Sequence, residues 1–125
     1  ITTTGFLPYR AMYERLNEGV AGLLVFQPTY YNISIGLPNK LFDYLHAGVP
    51  VLATDLPEVA AIVREFDCGL VIPSPAPSII AVAMKRMTAD PHQHEPLRQR
   101  AIFAARSLDG EREKEVLKAF LANLA

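Results

Sequence analysis

The chain has 125 residues, half of them apolar and 20% charged, which suits one packed domain or less and excludes a disordered segment. Twelve Lys and Arg against 13 Asp and Glu leave a formal charge of −1, too weak a field for general binding to nucleic acid or to an anionic membrane. No apolar run approaches the roughly 20 residues that span a bilayer, and the single cysteine, Cys68, has no internal disulfide partner, so a reducing, cytoplasmic setting is expected.

Apolar periodicity predicts strands alternating with helices along the chain. Ile1 to Thr4 reads as a short β-branched strand, without the charged start of a signal peptide. Pro8 to Glu18 reads as a helix with the stripe Tyr9, Met12, Tyr13 and Leu16, ended by Gly19. Residues 20–26 are almost wholly apolar, as a strand buried on both faces is. Residues 27–37 form a loop rich in turn formers and tyrosines. A helix then opens on Pro38, whose missing N–H costs nothing at the first helical position, and closes on Gly48, which suits a left-handed terminal residue. At about 100° per residue, Leu41, Phe42 and Leu45 fall on one side of this helix, and Asn39, Lys40, Asp43 and His46 on the other. The strand 51–54 follows, then a helix from Pro57 with the stripe Val59, Ile62, Val63 and Phe66, and a strand over 70–72. After the turn cluster 73–77 comes a helix with Ile80, Ala83, Met84 and Met87 inward, broken at Asp90-Pro91. A helix around Leu97, Ala101, Ala104 and Ala105 precedes a last one from about Glu111 to Leu124, whose stripe is Val116, Leu117, Phe120, Leu121 and Leu124.

Strand–helix–strand units with short connections imply an α/β fold, a doubly wound Rossmann-like parallel sheet with right-handed crossovers. Four short strands are few for a complete sheet, and a chain that opens inside a strand reads as cut from a larger protein. The last helices stand outside the alternation and are expected to cross one face or reach toward a partner domain.

Ligands of such sheets bind beyond the carboxyl ends of the strands. Two loops stand there, residues 27–37 and Asp55 to Glu58. The start of the Pro38 helix offers unpaired N–H groups and the positive end of the helix dipole. Gly36 permits close backbone approach, Lys40 adds a mobile charge, and Asn32 and Ser34 add neutral donors. A diphosphate suits this set, although an ordinary helix start with a solvated lysine fits the local chemistry too. The two oxygens of Asp43 match the spacing of a vicinal diol; the plainer alternative is a surface pair with Lys40.

Other candidates carry less. Tyr30 and Tyr31 could stack on a base or sugar, but a loop tyrosine pair is more often packing. His46 reads as a solvated helix-end histidine. His92 and His94, near Glu95, fit no structural zinc spacing, and no metal site is expected. Cys68 reads as a small apolar residue packed between Phe66 and the next strand. Glu111 to Glu115 reads as the wet face of the last helix. The chain has no nucleophile-elbow serine, Walker loop or G-x-G-x-x-G.

Pro38 to Thr54 resembles the "P-N-K-L-F-E-Y-x-x-x-G-x-P-V-x-x-T" segment of nucleotide-sugar-dependent glycosyltransferases with the GT-B fold, in particular the retaining group that builds bacterial surface polysaccharides and lipid-linked glycans. Thr4-Gly5-Phe6-Leu7-Pro8 is similar to the family's "F-x-G-x-x-P" turn, Gly69-Leu70-Val71-Ile72-Pro73 to its "G-x-x-V-x-P" strand, and Asp90-Pro91 to its helix break. The resemblance implies half of a GT-B fold: a truncated C-terminal nucleotide-sugar-binding domain over residues 1–125, without the acceptor-binding N-terminal domain and inactive by itself. It implies that Ser34, Gly36, Leu37, Pro38, Asn39, Lys40 and Asp43 hold a UDP- or GDP-sugar, with Asp43 on the ribose hydroxyls and no metal or other cofactor. The parent enzyme would pass a hexosyl unit to a glycan or lipid-linked acceptor, at the cytoplasmic side and in peripheral contact with the membrane.

Two departures qualify that expectation. Asp43 stands where the family usually has glutamate, so the helix must sit nearer the ribose. Ile35 stands where many members have a second glutamate against the donor sugar. Alternatives are therefore an epimerase of the same fold, a binding or scaffold module that has lost the chemistry, or a response-regulator-like domain. The last needs an acidic pocket at the strand ends, which Asp43, on a helix, does not supply.

Overall fold

The computed structural model describes residues 2–124. Strands β1 (Gly22–Leu24), β2 (Val51–Thr54) and β3 (Gly69–Ile72) form one parallel sheet in chain order. Gly22 lies opposite Val51, and Val51 opposite Gly69. Helix α3 (Asn39–His46) connects β1 to β2, and α4 (Pro57–Glu65) connects β2 to β3. Both crossovers step the same way along the sheet, so both helices cover the same face. There Leu41, Leu45, Val59 and Val63 meet Leu24, Val51 and Ala53. Helix α5 (Pro77–Thr88) covers the other face, where Ala83 and Met87 pack on Leu52 and Ile72. Helix α6 (Pro91–Ser107) returns to the first face and packs on α3 through the buried Ala101, Ala104 and Ala105. Helices on both faces of a parallel sheet make this the expected partial Rossmann-like arrangement.

Small residues set how closely the layers approach. A Cβ at Gly22 would stand 2.4 Å from the ring of Tyr44, so α3 lays its tyrosine directly on the β1 backbone. A Cβ at Gly69 would stand 1.9 Å from the carbonyl oxygen of Val51. Gly48 has φ +65, the left-handed closure expected of it, and Val49 N–H then bonds back to Tyr44 O at 2.8 Å. Cys68 is fully buried in the same core, and burial pushes its thiol up to about 11. Only the thiolate attacks a disulfide reagent. Ellman's reagent at pH 8 should therefore label the native protein at least about 100-fold more slowly than the protein in urea, where the thiol returns to its ordinary range; equal rates would show an open core.

Several expectations need correction. Thr2 to Thr4 lie outside the sheet, and Ile1 lies outside the described residues, so the described sheet has three strands rather than four. β1 is shorter than residues 20–26 and is not buried on both faces. It is an edge strand of the described sheet, and Leu23 stays 41% exposed. The 27–37 loop contains a short helix, α2 (Tyr31–Ile35), and Tyr30 and Tyr31 are exposed rather than packed. Pro38 is extended, with ψ 140, and caps α3 instead of opening it; its carbonyl accepts Leu41 N–H at 2.9 Å. The break falls at Asp90-Pro91 as expected, and α6 starts there: Asp90 accepts His92 N–H at 2.9 Å, and the helix carries Pro96 inside it. Helix α1 (Tyr9–Asn17) ends ahead of Gly19, whose N–H bonds Leu16 O, and buries none of its stripe. The apolar stripe of α7 (Glu111–Ala122) is likewise exposed.

Candidate functional site

Beyond the carboxyl ends of β1 and β2 lies a cleft of about 250 Å³, walled by Phe26, Asn32, Ile33, Gly36, Leu37, Pro38 and Leu56. Its rear wall is fixed by Thr54, a buried polar side chain at the end of β2. The Thr54 hydroxyl accepts Phe26 N–H at 3.1 Å and donates to Phe26 O at 2.9 Å. Those backbone groups lie past the last paired residue of β1, so a side chain extends the ladder where the strand has ended. The chain then makes the single short helix α2 and turns back at Gly36. A Cβ at Gly36 would meet Asn32 O at 2.6 Å, so glycine is what lets the chain double back. Leu37 and Pro38 are thereby brought to the mouth of the cleft, and α3 starts there.

The first turn of α3 has no side-chain cap and no acidic residue. The N–H groups of Asn39 and Lys40 thus stand at the positive end of the helix without a local anion. Both side chains are exposed, and Lys40 makes no ion pair among the described residues. Asp43 follows one turn later and is half-buried. Its expected plain alternative, a pair with Lys40, does not form. The carboxylate instead accepts the hydroxyl of Tyr13, on α1, at 2.9 Å. Burial first, then the neighbouring Tyr9 and Asp43, hold the Tyr13 phenol well above its usual range, so it remains a donor. Tyr9 and Tyr13 lie against each other with ring centroids 4.8 Å apart.

Of the residues read from the sequence, Asn32, Gly36, Leu37 and Pro38 line the cleft, while Asn39, Lys40 and Asp43 follow on the adjoining helix. Ser34 is turned away: its hydroxyl donates to Tyr30 O at 3.4 Å, within α2. Asp55, in the second loop, pairs with Arg64 at 2.9 Å, and Glu58 is exposed in the first turn of α4. His46 is the solvated helix-end histidine expected, its Nδ1–H donating to Phe42 O at 2.8 Å. His94 Nε2–H donates to Val20 O at 3.0 Å, while His92 stands in the first turn of α6. Among the described residues no three His, Cys, Asp or Glu side chains converge. Ile35 ends α2, half exposed. Sequence reasoning missed Tyr13, which it placed in a core stripe. The available signal was that half of that stripe, Tyr9 and Tyr13, carries a hydroxyl.

The geometry on offer is an uncapped helix start with one mobile cation, a carboxylate one turn along, and an apolar cleft beside both. Among the described residues no helix is long and apolar enough to cross a membrane. Residues 1–90 match the family described as Glycosyl transferases group 1. No curated protein and no solved structure matches the chain.

Proposed function

The chain belongs to the group 1 glycosyl transferases, and from that premise we propose that the start of α3 and the cleft beside it bind the nucleoside diphosphate of a sugar donor. The observation that carries this reading is the layout of one helix: free N–H groups and Lys40 at its start, Asp43 one turn on. A turn rises about 5.4 Å, a span that one ribose-phosphate unit bridges. The diphosphate would take the N–H groups of Asn39 and Lys40 and the Lys40 ammonium. The ribose hydroxyls would take Asp43, and the base would enter the apolar cleft at Gly36, Leu37 and Pro38.

In the transfer of a hexosyl unit, negative charge grows on the departing diphosphate. Fixed N–H dipoles and Lys40 would stabilise it, a role that in this reading a resident metal ion is not needed to fill. The site has a single wall, so a second domain would hold the glycan or lipid-linked acceptor against the donor. Cytoplasmic placement beside the membrane belongs to the same proposal. Ile35 favours a second reading, in which the fold binds a sugar nucleotide without transferring the sugar, because no carboxylate stands at that position to meet the sugar ring.

Calorimetry with Lys40→Ala tests the assignment. A nucleoside diphosphate should bind roughly tenfold more weakly, the loss of one charge-assisted contact in partial solvent, while the parent nucleoside should change by less than about twofold. Equal losses for both would remove the phosphates from this end of the helix.

A further inference from the structure

Among the described residues, the one polar contact that reaches Asp43 from another element comes from Tyr13, thirty residues earlier in the chain. Asp43 shares a helix face with Asn39, Lys40 and His46, yet none of these engages its carboxylate; Oδ1 accepts the Tyr13 hydroxyl, and Oδ2 has no protein partner among the described residues. We propose that Tyr13 is a positioning residue for nucleotide binding: its hydroxyl fixes the Asp43 carboxylate and leaves Oδ2, with the remaining lone pair of Oδ1, for a ribose diol. This rests on the donor-binding reading above and adds a residue from a different helix to it.

Three physical points support the assignment. A carboxylate oxygen accepts two hydrogen bonds, so the tyrosine orients Asp43 without exhausting it. An aspartate tied at one oxygen has less freedom to lose when a ligand arrives, which raises affinity through preorganisation rather than through a new contact. The donor role is stable, because burial and its neighbours keep the phenol protonated. Tyr13 itself is only half-buried, and α1 has no buried side chain, so the hydroxyl is not needed to fill a core.

Calorimetry on the full chain tests this, with uridine and guanosine diphosphates each set against its 2′,3′-dideoxy counterpart. Tyr13→Phe, which keeps the ring beside Tyr9, should weaken the better-binding ribonucleotide about tenfold and leave the dideoxy compound unchanged. In an Asp43→Ala background the same substitution should have no further effect. Equal losses for ribo and dideoxy forms, unchanged or tighter binding, or a Tyr13→Phe protein that fails to fold would overturn the role, the last by making the hydroxyl a structural tie. If Asp43→Ala abolishes the ribose preference while Tyr13→Phe spares it, the donor site stands and Tyr13 drops out. If neither substitution touches that preference, or neither nucleotide binds, the donor-site reading falls and the proposal with it.

Discussion

Replacing Asp43 by alanine is expected to weaken binding of a nucleoside diphosphate by about 30- to 700-fold. The figure takes two charge-assisted hydrogen bonds to ribose hydroxyls, discounted for partial solvent access, as about 2–4 kcal/mol at 1.4 kcal/mol per decade. The 2′,3′-dideoxy nucleotide should bind the unsubstituted protein poorly and be nearly indifferent to the change. Titration calorimetry separates this from an indirect effect. The alanine also severs the contact with Tyr13, and a loss passed on through α1 would fall equally on both nucleotides. Equal losses would therefore require the ribose assignment to be dropped.

Gly69→Ala is expected to cost roughly 3 kcal/mol or more of folding stability, at the upper end of what overpacking produces. Gly69 faces Val51 across the β2–β3 pairing, and an added methyl would lie 1.9 Å from the Val51 carbonyl oxygen and 2.8 Å from its nitrogen. The obstacle is backbone rather than the end of a flexible side chain, so the strands must part, and Val51 is fully buried with little room to yield. Urea melts followed by circular dichroism measure the loss. Gly110→Ala is the control: nothing lies within 4 Å of its added methyl, and its stability should stay within about 0.5 kcal/mol. A Gly69→Ala protein as stable as that control would contradict the packing described at this strand pair.

The central elements were legible because local and long-range forces agree on them. Val51 to Ala53 is apolar throughout because β2 is the middle strand, and Pro57 and Gly48 punctuate helices as their backbone chemistry requires. Along α3 the apolar side Leu41 and Leu45 did turn inward, leaving Asn39 and Lys40 exposed. The errors lie where periodicity says nothing about what covers a face. Tyr9, Met12 and Leu16 repeat with helical spacing, and so do Val116, Phe120 and Leu124, but no element of the described chain buries either stripe. Leu23 was read as core because composition does not reveal that β1 is an edge. Within the site, Gly36, Lys40 and Asp43 were singled out by residue type and spacing. The Ser34 hydroxyl, in a short helix, turns to its own Tyr30 carbonyl, a local bond that residue type alone does not reveal. The contact of Tyr13 with Asp43 was invisible because a pairing across thirty residues leaves no periodic trace.

The way α1 is held divides the molecule into tiers of opening free energy. Among the described residues, its polar ties to the body are the Tyr13 hydroxyl on Asp43 and its Asn17 carbonyl, which accepts Arg98 Nη1 at 3.2 Å. α3, by contrast, is clamped between the sheet and the alanine face of α6. Amide hydrogens of α1 are therefore expected to exchange faster than those of β2 and α3. Asp43 sits on the seam, carried by α3 and held from α1, so any opening of α1 would also free its carboxylate to rotate.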